Sequence, residues 1–314
     1  MKILLFDDSP RGIDDRTCMG FFLQLSGLKG VSLYVASPTK IASKEQFNLI
    51  VKDFGINILL FHMHSPALIK SWPDYLFRGN KIPTVLIEED HFEMKFNNLV
   101  YDVAKMFNWY KEKGINLLIR RHSYEEEAPI VSVFLPFSAN EGEFFPGEHT
   151  HQNIGFAGSH KSTQAYYDIR KKAIKVLSKS GQLDTYYGKI YDGYAEYLRS
   201  HIGSLACSDG MAHTCVAKIF EVPLSGSALL TNVMTCKEEL WGKEQCYFEY
   251  KDDCSDIVSV ADTIINEHDL RNQVIKNAYN RVVEYHTDEK RVKELYSILT
   301  ALLSNKTIPR IWGQ

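Results

Sequence analysis

Short, unbroken apolar runs return along the N-terminal half of this chain at intervals of about 25 residues, with helical periodicity between them. The runs are Lys2–Phe6, Val31–Ala36, Ile56–Phe61, Ile82–Ile87, Ile115–Ile119 and Ile130–Leu135. A strand that is apolar at every position is buried on both faces, so helices must cover both sides of the sheet that it joins. The pattern therefore predicts an α/β fold with a parallel sheet. Ligands of such sheets bind beyond the carboxyl ends of the strands, where the loops Asp7–Gly12, His62–Ser65 and Glu88–His91 fall.

The pattern breaks at Pro136–His151, a polar stretch punctuated by glycine and proline and without periodicity. It restarts with a strand at Asn153–Ala157, a helix from about Thr163 to Ser180 and strands at Thr185–Tyr187 and Ile202–Ala206. Helices near Ser255–Glu267, Asp269–Tyr285 and Asp288–Ser304 close the chain. We read residues 1–140 as one Rossmann-like domain, 141–152 as a linker and 153–314 as a second Rossmann-like domain with terminal helices, the two facing across a cleft.

A chain of 314 residues, 45% hydrophobic and 24% charged, can bury two cores. Its formal net charge of −3 and the lack of a basic stripe argue against tight binding to a phosphate backbone. No apolar run nears the roughly 20 residues that span a bilayer, and Met1–Phe6 reaches Asp7 and Asp8 too soon for a signal peptide. A soluble, cytoplasmic protein is expected. The six cysteines include no C-x-x-C pair, so neither a disulfide framework nor a structural zinc site is expected.

Residues 207–232 carry the densest functional signal: a polar loop at Asp209–Gly210, a short helix with Lys218 and Glu221, a turn at Ser225–Gly226 and a buried strand at Ala228–Leu230. Three apart on a helix, Lys218 and Glu221 share a face, with Thr214 one turn before the lysine. Such a face can hold a phosphate at one end and accept hydroxyl hydrogen bonds at the other; it can also be a solvated ion pair. The loop Gly158-Ser159-His160-Lys161-Ser162 follows a strand and precedes a helix, where backbone N–H groups can receive a diphosphate.

The order of loop, Lys-x-x-Glu helix, glycine turn and apolar strand resembles the donor site of GT-B glycosyltransferases, especially the spore-maturation-protein (CgeB-like) branch and the family 1-type C-terminal domain. The resemblance covers Asn153 to about Leu303, including Tyr285-His286-Thr287 and Arg291. It implies two Rossmann-like domains across a cleft and transfer of a hexosyl or pentosyl group from a nucleotide-diphosphate sugar, a UDP-sugar foremost, to an acceptor hydroxyl. Glu221 would grip the donor's ribose and Lys218 would face its diphosphate. Gly158, Ser159, Arg170, Gly188, Gly210 and His213 complete the implied donor set. Many retaining members carry a second glutamate eight positions earlier, where His213 stands here, and this departure favours the CgeB-like branch while leaving the stereochemistry open.

In the first domain, Asp90 is the first choice for a general base, with Glu89 and His91 as alternatives, because an inverting transfer needs a carboxylate or histidine beside the acceptor hydroxyl. The same loop could merely solvate a strand end. Asp8, Gly12 and His64 are acceptor-side candidates. His62 and His64 flank Met63, yet no third ligand is spaced to join them, so no metal is expected and no cofactor beyond the nucleotide sugar. The acceptor stays open among a glycan, a lipid-linked sugar, a protein, a small molecule and a modified DNA base. Two rivals remain: an epimerase or hydrolase of sugar nucleotides with the same fold, and a non-catalytic nucleotide-sugar-binding partner protein.

Overall fold

The computed structural model describes residues 1–7, 19–63, 72–79, 81–88, 103–122, 127–158, 167–186, 193–207 and 215–312. The first six strands are β1 (Lys2–Asp7), β2 (Ser32–Ala36), β3 (Ile58–Met63), β4 (Thr84–Glu88), β5 (Leu117–Arg120) and β6 (Val131–Phe134). They form one sheet in the order β2-β1-β3-β4-β5-β6, parallel at every pairing. Alternate residues supply the two faces, as the period of a strand requires. Leu4, Phe6, Leu59, Phe61, Leu86 and Leu118 enter one apolar cluster, while Ile3, Leu5, Ile58, Leu60, Val85 and Ile119 enter the other. Helices α1 (Met19–Gly27), α2 (Lys44–Phe54) and α3 (Val103–Lys113) connect these strands. The α2 helix starts where the Ser43 side chain accepts the Gln46 N–H and ends at a left-handed Gly55.

The second sheet comprises β7 (His151–Ala157), β8 (Leu183–Tyr186), β9 (His201–Ala206), β10 (Ala228–Asn232) and β11 (Phe248–Tyr250), in the order β11-β10-β9-β7-β8 and again all parallel. Its helices are α4 (Asp168–Lys179), α5 (Tyr194–Ser200), α6 (Lys218–Leu224), α7 (Lys237–Trp241), α8 (Ile257–Asn266) and α9 (His268–Tyr285), and α10 (Asp288–Leu303) follows. In each sheet the strand order reverses once, between β1 and β3 and between β7 and β9. Those reversals open a crevice at the carboxyl ends of the strands. Among the described residues no helix is long and apolar enough to cross a membrane.

The chain divides into two compact units, Met1–Pro136 with Val292–Gln314, and Phe137–Arg291. This partition differs from the sequence-based one at both boundaries. Residues 141–152, read as a linker, fall inside the second unit: Phe144 is buried, and His151 already opens β7. The C-terminal segment, read as part of the second domain, belongs to the first unit from Val292 onward. The reason is apolar burial, for Val292, Leu295, Ile298 and Leu299 pack in the cluster of Ile3, Leu5 and Ile58.

His286 and Arg291 have a structural place in the second unit. Both are fully buried; the guanidinium donates to His286 Nδ1 at 2.8 Å and to the Phe137 carbonyl at 3.3 Å. His286 Nε2 therefore carries the ring proton and donates to the Leu240 carbonyl at 2.9 Å. Burial, and then the Arg291 charge, hold this imidazole neutral by pushing its pKa well below the usual value.

Leu295→Ala tests the unit assignment. Removing this fully buried side chain should cost about 2–5 kcal/mol, and hydrogen exchange should quicken in β1 and β3 before β7 and β9. Faster exchange confined to the second sheet would contradict the packing of α10.

Candidate functional site

The site in the second unit is built where β7 and β9 part. β7 ends at Ala157 and is followed by Gly158, whose φ of +155° suits glycine. The Lys218 ammonium, at the first residue of α6, donates to the Ala157 carbonyl. It also lies 4.9 Å from the centre of the Phe156 ring and 5.9 Å from that of Tyr194. A carbonyl dipole and two aromatic faces thus hold a cation at the end of β7.

One turn on, Glu221 is buried with the rest of α6, where Ile219 to Leu224 are all out of solvent. Its Oε2 accepts the Tyr194 hydroxyl at 2.8 Å. Tyr194 opens α5, so one buried tyrosine serves both the cation and the carboxylate. The burial of α6 sets aside the alternative of a solvated surface ion pair.

Arg170, on α4, stacks over Tyr167 at 4.2 Å. Cys207, just past β9, is buried with its Sγ 3.1 Å from the Tyr250 hydroxyl at the end of β11. Burial raises the thiol pKa, while Arg170 and Lys218 act in the opposite direction, which puts both cations within electrostatic reach of this strand end. Asn232, at the end of β10, donates to Asp252 at 2.9 Å. The carboxyl edge of this sheet therefore gathers two cations and a buried carboxylate, a set that can receive a diphosphate and accept hydroxyl hydrogen bonds.

Of the donor residues expected from sequence, Gly158, Arg170, Lys218 and Glu221 are brought to this edge. Ser159, Gly188, Gly210 and His213 lie outside the described residues. Sequence reasoning missed Phe156, Tyr194, Cys207 and Tyr250. Tyr194 had the only local signal, as the first residue of a helix that follows Gly193.

The first unit has its own cluster at strand ends. Asp7 and His62 are register partners at the tips of β1 and β3, with Nδ1 3.9 Å from Oδ1, and the Phe22 ring meets His62 edge-on at 5.1 Å. Glu88, fully buried at the end of β4, accepts the Tyr110 hydroxyl at 3.4 Å. Burial and then Glu88 raise the pKa of that phenol. Arg121, after β5, donates to the Leu135 and Pro136 carbonyls. Asp8, Gly12, His64, Glu89, Asp90 and His91 all lie outside the described residues.

The arrangement has solved counterparts over nearly its whole length. Sucrose-phosphate synthase from Thermosynechococcus elongatus superposes with a TM-score of 0.68 at 8% identity, covering 98% of this chain and 100% of that one. The fold is that of GT-B glycosyltransferases. Anabaena HepE, in a structure with UDP and glucose, shares this GT-B architecture at a TM-score of 0.66 and 9% identity, covering 96% of this chain and all of its own. A glycosyltransferase from Rickettsia africae gives 0.64 at 10% identity, covering 97% and 99%. Residues 179–297 match a family model described as glycosyl transferase-like, and the matched span contains Tyr194, Lys218 and Glu221 but neither Gly158 nor Arg170. No curated protein sequence matches the chain.

Gly158→Ala probes the cation's seat. A Cβ there would stand 3.2 Å from the Phe156 ring and 3.3 Å from Lys218 Nζ, at a φ that strains any other residue. The variant should fold and lose roughly tenfold in nucleotide-sugar affinity, about 1.4 kcal/mol, measured by calorimetry. Wild-type affinity would show that the position of Lys218 is immaterial.

Proposed function

We propose that this protein transfers a sugar from a nucleotide-diphosphate donor, a UDP-sugar foremost, to an acceptor hydroxyl without using a metal for the transfer. The observation that carries the reading is the pairing of Lys218 and Glu221 around Tyr194 at the strand-order reversal of the second sheet. The glycosyl transferase-like span over that site supports it, as does the UDP and glucose held by the Anabaena protein of the same fold.

In this reading the donor's diphosphate lies over the carboxyl edge of β7. There Lys218 and Arg170 neutralise the charge that grows on the leaving phosphate as the glycosidic bond breaks. A preorganised cation acts on that charge without solvent reorganisation, the role that a metal has in other phosphate-leaving reactions. Glu221 accepts the ribose hydroxyls. Asp90 is the proposed general base of an inverting transfer. His213, standing where a second glutamate would be, supports the CgeB-like branch.

The test is calorimetry and turnover across a panel of nucleotide sugars. Glu221→Gln keeps the size of the side chain and the Tyr194 contact but removes the charge, so donor affinity should fall by about 1.5–3 kcal/mol. Lys218→Met should lower turnover more than it lowers affinity for the nucleoside monophosphate. Asp90→Asn should keep donor affinity and lose about a hundredfold in turnover. Unchanged donor affinity in folded Glu221→Gln, with equal behaviour of Lys218→Met toward nucleoside and nucleoside diphosphate, would overturn the donor assignment.

A further inference from the structure

The second sheet has a cluster at its other end that the transfer reaction does not use. His151 and His201 are register partners and the first residues of β7 and β9, and Asp184, the second residue of β8, pairs with Gly155 of β7. Parallel strands all begin at the same edge, so three residues far apart in sequence meet at the amino edge of the sheet, opposite Lys218. One nitrogen of each imidazole and one carboxylate oxygen lie within 4.8 Å of one another.

His201 and Asp184 are aimed by their neighbours. His201 is 1% exposed, and its Nδ1 reaches only the Tyr197 carbonyl, at 2.8 Å, and the Ser200 hydroxyl, at 3.1 Å. A carbonyl only accepts, so Nδ1 carries the proton and Nε2 presents its lone pair. That Nε2 is buried and has no hydrogen-bond partner, and Asp184 Oδ2 faces it at 3.5 Å. The buried imidazole lone pair and the partly exposed carboxylate face each other as two acceptors, an arrangement that suits a shared cation.

The surrounding atoms fix the same geometry. The Asn153 amide donates to Asp184 Oδ1 at 3.3 Å, which leaves Oδ2 toward the histidines. The Tyr197 hydroxyl donates to the Asp184 carbonyl at 2.7 Å and receives the Phe156 N–H at 3.1 Å, locking α5, β7 and β8 together. The His201 ring lies flat against Gly155, where an added Cβ would come within 2.9 Å of Cγ. A histidine and a carboxylate held by partners on their other polar atom, as His201 and Asp184 are, are the mark of a metal site with its ligands set in advance.

We propose that His151, Asp184 and His201 bind one divalent transition-metal ion of the zinc class, clamping the starts of β7, β8 and β9. Two imidazole nitrogens and one carboxylate oxygen suit zinc, and a fourth position stays open to water because His151 and Asp184 reach solvent. Ligand atoms around tetrahedral zinc stand about 3.3 Å apart. The 3.5 Å and 3.8 Å separations from Asp184 to the two histidines are close to that spacing. His151, stacked on His201 at 4.4 Å and more than half exposed, is the ring that turns to complete the set. The site lies apart from the donor residues and is independent of the proposed transfer.

The test is titration of chelator-treated full-length protein with zinc, followed by calorimetry and thermal unfolding, with cobalt as a spectroscopic probe. One zinc per chain should bind and raise the Tm. His151→Ala and Asp184→Asn, both at partly exposed positions, should each weaken zinc at least tenfold and abolish the rise, with nucleotide-sugar binding unchanged. Cobalt should show visible bands of nitrogen and oxygen ligation without thiolate charge transfer. No zinc uptake, wild-type affinity in both variants, or thiolate bands from the cysteines would each overturn the proposal.

Discussion

The Lys218 ammonium, partly withdrawn from water, takes its partners at the end of β7, in the Ala157 carbonyl and the faces of Phe156 and Tyr194. Much of the second unit's site follows from that anchorage. It seats the start of α6 against the end of β7, so Glu221, one turn later, points to Tyr194 and not to water. A side chain at position 158 would crowd both the Phe156 ring and the ammonium, at a φ that favours glycine. The same contacts give the site its chemistry, since a cation held by the protein at a strand end is already in position for an anionic ligand.

The two edges of the second sheet thereby differ in kind. At the carboxyl edge the strand-order reversal collects Lys218, Arg170 and Glu221; at the amino edge the strand starts collect His151, Asp184 and His201. Tyr197 and Phe156 connect the two. Tyr197 binds the Asp184 carbonyl and the Phe156 N–H, and the Phe156 ring faces Lys218.

Much of the fold was legible in the sequence because parallel strands buried on both faces leave uninterrupted apolar runs. Ends were less so: β3 begins at Ile58 and not Ile56, and β7 at His151 and not Asn153. The five-residue α7 was missed, being too short to show a period. The allegiance of α10 was misread, because amphipathic spacing reveals that a helix buries one face but not which core receives it. In the site, Lys218 and Glu221 were legible through their spacing on one helix. Tyr194 was not, since its contact with Glu221 crosses 27 residues of chain. The amino-edge histidines and Asp184 were invisible for the same reason: their ligand atoms meet only through strand pairing.

Hydrogen exchange of the full chain with and without a UDP-sugar tests the central claim, that the carboxyl edge of the second sheet holds the donor. The account predicts slower exchange on donor binding at residues 155–158 and 217–225, with no change at 151–153. Binding that leaves the end of β7 and α6 unprotected, or that protects only strands of the first unit, would contradict it.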